Sequence, residues 1–271
     1  MTDLYYDVRG TGPVLLILPG GAGHPMGLEP LTDRLAERFT VVTHDPLGLA
    51  HGRLGQPVAD QRVEEWSEGA RRVLDAVLPA GESAYVLGTS AGGVVALDLA
   101  ARHPGRLRHV VAHEPPCVTV LPDGERQRAL FARVYDTYRA AGPQAAGALM
   151  GAVLTETAAT DAPGTATTEA PVDGQPLSPA EESASPMALF LAHVLRPFTA
   201  YAPPARPVEA PLTVAAGADS AGQLLHRTAA LLAERCGGVF AEFPGGHIGA
   251  VEQPEAYADR LTEVLGGSPT H

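Results

Sequence analysis

The chain alternates short apolar runs with longer stretches in which apolar residues recur every three or four positions. Runs at 4–8, 14–18, 40–43, 84–87, 107–112, 211–216 and 239–243 read as strands. Most are continuous in Val, Leu, Ile or Ala, the pattern of strands covered on both faces. Helical spacing predicts helices over 28–39, 63–78, 93–102, 223–235 and 254–265. Leu31, Leu35 and Phe39 stand four apart in the first, and Val63, Trp66, Ala70, Val73, Leu74 and Val77 share one side of the second. Such strands separated by helices predict an α/β fold, with a mostly parallel central sheet and helices on both faces.

The rhythm breaks between Pro115 and Ala210. Helices are predicted there over 125–140, 144–154 and 187–195. The first places Phe131, Val134, Tyr135 and Tyr138 on one side. Residues 155–186 are rich in Thr, Ala, Pro, Gly and Glu and poor in large apolar side chains, a composition that suits a flexible segment. The expected organisation is a core of residues 1–114 and 211–271, interrupted by a helical cap at 115–210.

Composition removes several function classes. With 271 residues, 45% of them apolar, the chain can bury one large core. The net charge is −12 and no basic cluster stands out, so neither nucleic acid nor an anionic membrane surface is an expected partner. All 19 basic residues are Arg, which excludes a Ser–Lys dyad, a lysine Schiff base and a P-loop lysine. Cys117 and Cys236 form no CxxC pair and read as buried apolar residues. No metal-ligand cluster or nucleotide motif is found, so neither a metal nor an organic cofactor is expected. No apolar run approaches membrane-spanning length and the N-terminus is acidic, so the expected location is cytoplasmic.

The candidate chemistry starts at Gly88-Thr89-Ser90-Ala91-Gly92, where the strand at 84–87 ends and a helix begins. A sharp strand-to-helix turn exposes a serine hydroxyl, and the helix start behind it offers free N–H groups. A serine becomes a useful nucleophile only beside a base. His247 follows the last strand in a glycine-rich loop and is the best-placed imidazole; His24, His44, His51 and His113 are rivals. An imidazole base also needs a carboxylate to fix its tautomer. Glu114, after the strand at 107–112, and Asp219, after the strand at 211–216, both fall at the carboxyl edge of the sheet. Gly21, in Pro19-Gly20-Gly21-Ala22-Gly23, and Ala91 offer backbone N–H groups for an oxyanion.

With these pieces in order the chain resembles the α/β-hydrolase-fold superfamily over nearly its whole length. The motifs are Pro19-Gly20-Gly21-Ala22-Gly23, Asp45-Pro46-Leu47-Gly48, Gly88-Thr89-Ser90-Ala91-Gly92 and Gly246-His247. The resemblance implies Ser90 as nucleophile, His247 as base, and Gly21 and Ala91 as oxyanion donors. Two departures stand out. Pro19-Gly20 occupies the place of the family's frequent His-Gly. The family's usual acid position, three residues after a Gly that closes its seventh strand, holds Ser220, with Asp219 one residue early. Haloalkane dehalogenases and zearalenone-hydrolysing lactonases instead take an acid just after the sixth strand, where Glu114 stands. Glu114 is therefore favoured, with Asp219 as the alternative. Serine at the nucleophile position argues against dehalogenase and epoxide hydrolase chemistry, which need a carboxylate there.

The expected activity is hydrolysis of a small apolar carboxylic ester or lactone through an acyl-enzyme. A thioesterase, C–C hydrolase, aminopeptidase or cofactor-free haloperoxidase would use the same residues, and a non-catalytic ligand binder could retain the fold. Phe190, Leu191, Leu195 and Phe198 could line an apolar pocket or simply pack the cap.

Overall fold

The apolar runs assemble side by side in the computed structural model, which describes residues 4–23, 27–157, 174–204 and 206–266. The strands are β1 (Tyr6–Arg9), β2 (Val14–Leu18), β3 (Thr40–His44), β4 (Ala84–Thr89), β5 (Leu107–His113), β6 (Leu212–Gly217) and β7 (Val239–Phe243). They form one seven-stranded sheet in the order β1-β3-β2-β4-β5-β6-β7. Every neighbouring pair is parallel except β1–β3. β1 and β7 are the edge strands, and β1 is largely exposed, with Asp7 and Arg9 on it. Charge on an edge discourages pairing with a further strand.

Around the sheet run α1 (Glu29–Ala36), α2 (Val63–Val77), α3 (Ala91–Arg102), α4 (Gly124–Leu154), α5 (Pro179–Ser183), α6 (Pro186–Leu189), α7 (Leu195–Thr199), α8 (Leu224–Cys236), α9 (Gly249–Glu252) and α10 (Pro254–Gly266). Strand side chains alternate between two apolar layers. Leu16, Leu18, Val86, Val110 and Val214 pack with Trp66 and Val73 of α2, Val94 of α3 and Leu232 of α8. Leu15, Ile17, Leu87, Val111 and Ala215 pack with Leu31 and Leu35 of α1 and Tyr257 and Leu261 of α10. Both faces are covered, which is why the strands carry continuous apolar runs. Cys117 and Cys236 are free thiols buried in the first layer.

Among the described residues the polypeptide between β5 and β6 is mostly helical. α4 breaks at Gly142, which adopts φ +83°, ahead of Pro143. A Cβ at 142 would lie 2.3 Å from the Gln175 carbonyl oxygen, so only glycine admits the returning chain there. The sequence reading of separate helices over 125–140 and 144–154 brackets this break. α6, a wider turn at Phe190–Val194 and α7 follow one another without interruption. Phe131, Val134, Tyr138, Leu191 and Leu195 form a third apolar cluster with Leu224 and Leu225 of α8. Backbone bonds join this segment to the loop before α2: Gly55 N–H donates to the Ser183 carbonyl at 2.7 Å and Gln61 N–H to the His193 carbonyl at 2.9 Å. Of the stretch expected to be flexible, 155–186, residues 158–173 lie outside the described residues. Among the described residues no helix is long and apolar enough to cross a membrane.

Candidate active site

β4 ends on the predicted nucleophile. Ser90 adopts φ +52° and ψ −119°, a left-handed conformation that a residue with a Cβ takes only when its surroundings enforce it. The two flanking glycines are required by close approach. A Cβ on Gly88 would lie 2.3 Å from the Gly92 carbonyl oxygen, and one on Gly92 would lie 1.8 Å from that of Leu18. Ser90 N–H donates to the His113 carbonyl at 2.9 Å, tying the turn to β5. Ala91 is the first residue of α3, so its N–H has no acceptor within the helix. The Pro19–Gly23 loop runs alongside: a Cβ on Gly20 would lie 3.1 Å from Ser90 Cβ, and Gly21 takes φ +61°.

The predicted base and its favoured acid meet behind this turn. His247 Nδ1 lies 2.8 Å from Glu114 Oε2. Glu114 is 1% exposed, directly follows β5 and adopts φ +45°. Its N–H donates to the Ala215 carbonyl at 2.8 Å. Oε1 accepts the Gly217 N–H at 3.0 Å and the Ser220 hydroxyl. The His247 loop closes over the end of β6, where a Cβ on Gly217 would lie 2.5 Å from the Gly245 carbonyl oxygen.

Asp219 goes elsewhere. Its side chain is exposed and makes no hydrogen bond or ion pair within the described residues, while its N–H holds the Gly245 carbonyl at 3.0 Å. In the short helical turn Ala218–Ser220 successive side chains point about 120° apart. Ser220 therefore points inward and Asp219 outward.

Burial disfavours the Glu114 carboxylate. The hydrogen bond and charge of His247 outweigh that cost, with help from His113 and the Ser220 hydroxyl, and bring its pKa from 4.5 down to about 2. Because the folded-state value lies below the unfolded one, the stabilisation is complete above about pH 5 and disappears as pH falls toward 2. Thermal unfolding temperature should therefore drop across this window, and Glu114→Gln should flatten that part of the curve. Parallel curves for the two proteins would contradict the assignment.

The rival histidines fall outside this arrangement. His113 is buried edge-on to Phe243 and Tyr257, and burial pushes it down to about 4, which keeps it neutral. His44 is likewise lowered to about 4 by burial and lines a separate polar cavity with Asp45 and Trp66. His51 pairs with Asp45 at 3.1 Å. His24 lies outside the described residues. Among the described residues no group of three or more His, Cys, Asp or Glu is placed to hold a metal ion.

Ser90, Ala91, Gly20, Gly21 and His247 all open onto one cavity of about 250 Å³. The rest of its described wall is mainly apolar, with Phe131, Met150, Phe190, Leu195 and Phe198 from the helical segment and Leu28, Ile248 and Val251 from the core, and includes Thr89 and Thr199. Among the described residues His247 is the only titratable side chain in the lining. Of the four residues read as either lining the pocket or packing the cap, Leu191 packs in the third apolar cluster and does not line the cavity. The sequence marks Ser220 only as the occupant of the family's usual acid position, and neither its contact with Glu114 nor that of the Gly217 N–H was anticipated. The spacing of Ser220, three after Gly217, was the available signal.

A parallel sheet with helices on both faces and a strained serine turn at a strand end define a class, and sequence comparison agrees. Residues 13–161, more than half of the chain, match the family described as the α/β hydrolase fold. The chain belongs to that family. The uncharacterized hydrolase YraK of Bacillus subtilis is 35% identical over 127 residues, covering 47% of this chain and 46% of YraK. The chain thus spans less than half the length of the curated relatives it matches. Among solved structures, a thermophilic esterase from Thermogutta terrifontis superposes with a TM-score of 0.67 at 18% identity, covering 97% of this chain and 93% of that one. The enol-lactonase of Burkholderia xenovorans gives 0.54 at 19% identity, covering 97% and 96%.

Proposed function

We propose that the chain is a serine hydrolase of uncharged carboxylic esters or lactones. The observation that carries this reading is the Glu114–His247 hydrogen bond behind an apolar cavity onto which Ser90 also opens. In this mechanism His247 takes the Ser90 proton as Oγ attacks the carbonyl carbon. Glu114 accepts from Nδ1–H, which leaves Nε2 as the proton acceptor, and it stabilises the imidazolium that forms. The N–H groups of Gly21 and Ala91 receive the developing oxyanion. The alcohol leaves with the proton from His247, and a water deprotonated by the same imidazole releases the acid. Residues 115–210 act as the cap, and their aromatic and methionine side chains hold the apolar part of the substrate. Ester or lactone as the substrate class agrees with the chemistry named for the two structures of this fold.

Among the described residues the lining has no arginine to receive a substrate carboxylate, and an unpaired charge is costly to bury. Esters with a carboxylate on the acyl chain should show kcat/KM at least about a hundredfold below neutral analogues of equal length. The reading is tested by labelling with a fluorophosphonate and locating the adduct, alongside a panel of esters, lactones, thioesters and peptide amides. Labelling at Ser90 with turnover of neutral esters or lactones is the expected result. No adduct at Ser90 would overturn the serine mechanism, and faster turnover of thioesters or amides would replace the substrate class.

A further inference from the structure

We infer that Ser220 is a positioning residue: its hydroxyl, together with the Gly217 N–H, fixes Glu114 Oε1 so that Oε2 faces His247. The kinetic part of this inference rests on the catalytic reading above. Glu114 sits in a left-handed backbone conformation at 1% exposure. Water therefore cannot satisfy its carboxylate, and each oxygen depends on protein donors. Oε2 receives His247; Oε1 receives the Gly217 N–H and the Ser220 hydroxyl. The Ser220 hydroxyl also lies 2.8 Å from the Gly217 carbonyl oxygen, but it has one proton, and the carboxylate is the stronger acceptor.

The short helical turn Ala218–Ser220 at the end of β6 makes this possible. It directs a small neutral side chain inward at 220 and the charged Asp219 outward. A carboxylate at 220 would face Glu114 across a dry contact, and one of the two would take up a proton. A hydroxyl instead supplies the donor that an acid arriving from β5 needs. The acid and its anchor thus come from adjacent strands, and neither orients His247 alone.

Ser220→Ala should lower kcat on a neutral ester roughly ten- to a hundredfold, the size of one hydrogen bond to a charged group, with KM changed less than about twofold. In a Glu114→Gln background the same substitution should cost less than about twofold, because the carboxylate through which Ser220 acts is gone. The downfield Nδ1 proton resonance of His247 should shift in Ser220→Ala and vanish in Glu114→Gln. That signal reports the pair whatever the reaction, so it separates failure of this inference from failure of the serine mechanism. Unchanged kcat, a full additive loss in the Gln background or an unmoved resonance would each overturn the role. If Ser220→Ala does not fold, Ser220→Cys keeps the volume with a weaker donor and carries the same readouts.

Discussion

Ser90→Ala is expected to reduce kcat on a chromogenic short-chain ester by about 10⁴- to 10⁶-fold. The loss should appear in turnover and not in folding. Alanine meets the same backbone strain at φ +52° as serine does, and the glycines that make the turn possible are untouched. Thermal unfolding should therefore stay close to that of the parent protein. The fluorophosphonate adduct should disappear with the activity. A variant that still turns over ester at the parent rate would remove Ser90 from the chemistry and leave its strained turn without a catalytic purpose.

Glu114→Gln carries the second large effect, a fall in kcat of about 10³- to 10⁴-fold. The amide fits the same space, but it can offer its NH₂ to His247 Nδ1 and so favour the wrong tautomer. It also removes the negative charge that stabilises the imidazolium. Asp219→Asn should stay within about twofold, since that side chain is exposed and makes no polar contact within the described residues. Measuring both variants on one ester ranks the two acids directly. A severe loss in Asp219→Asn with a mild one in Glu114→Gln would move the acid to the end of β6.

Much of the architecture was legible because burial on both faces leaves a plain signature. The runs at 14–18 and 239–243 coincide with β2 and β7, and the helices read at 63–78 and 254–265 differ from α2 and α10 by one residue each. The antiparallel direction of β1 was not legible, because a four-residue edge strand carries no mark of which way its neighbour runs. The Gly–Ser–Gly turn was legible for a steric reason: the contacts at Gly88 and Gly92 leave no room for any side chain. The choice between Glu114 and Asp219 was harder. Both stand at strand ends, and only the local turn decides which carboxylate faces inward. Ser220 shows the same limit, since spacing marks its position but not the partner that it touches. The wide turn at Phe190–Val194 leaves no imprint in an apolar run that already reads as helix.

The polar groups around His247 hang from strand ends and the loop after β7, whereas seven of the bulky side chains lining the cavity beside Ser90 belong to residues 131–198. For the proposed serine hydrolase, reactivity and selectivity are thus written in different portions of the polypeptide. Recombining that insert with equivalents from homologues would redraw the accepted range of compounds while the proton-transfer apparatus is inherited intact.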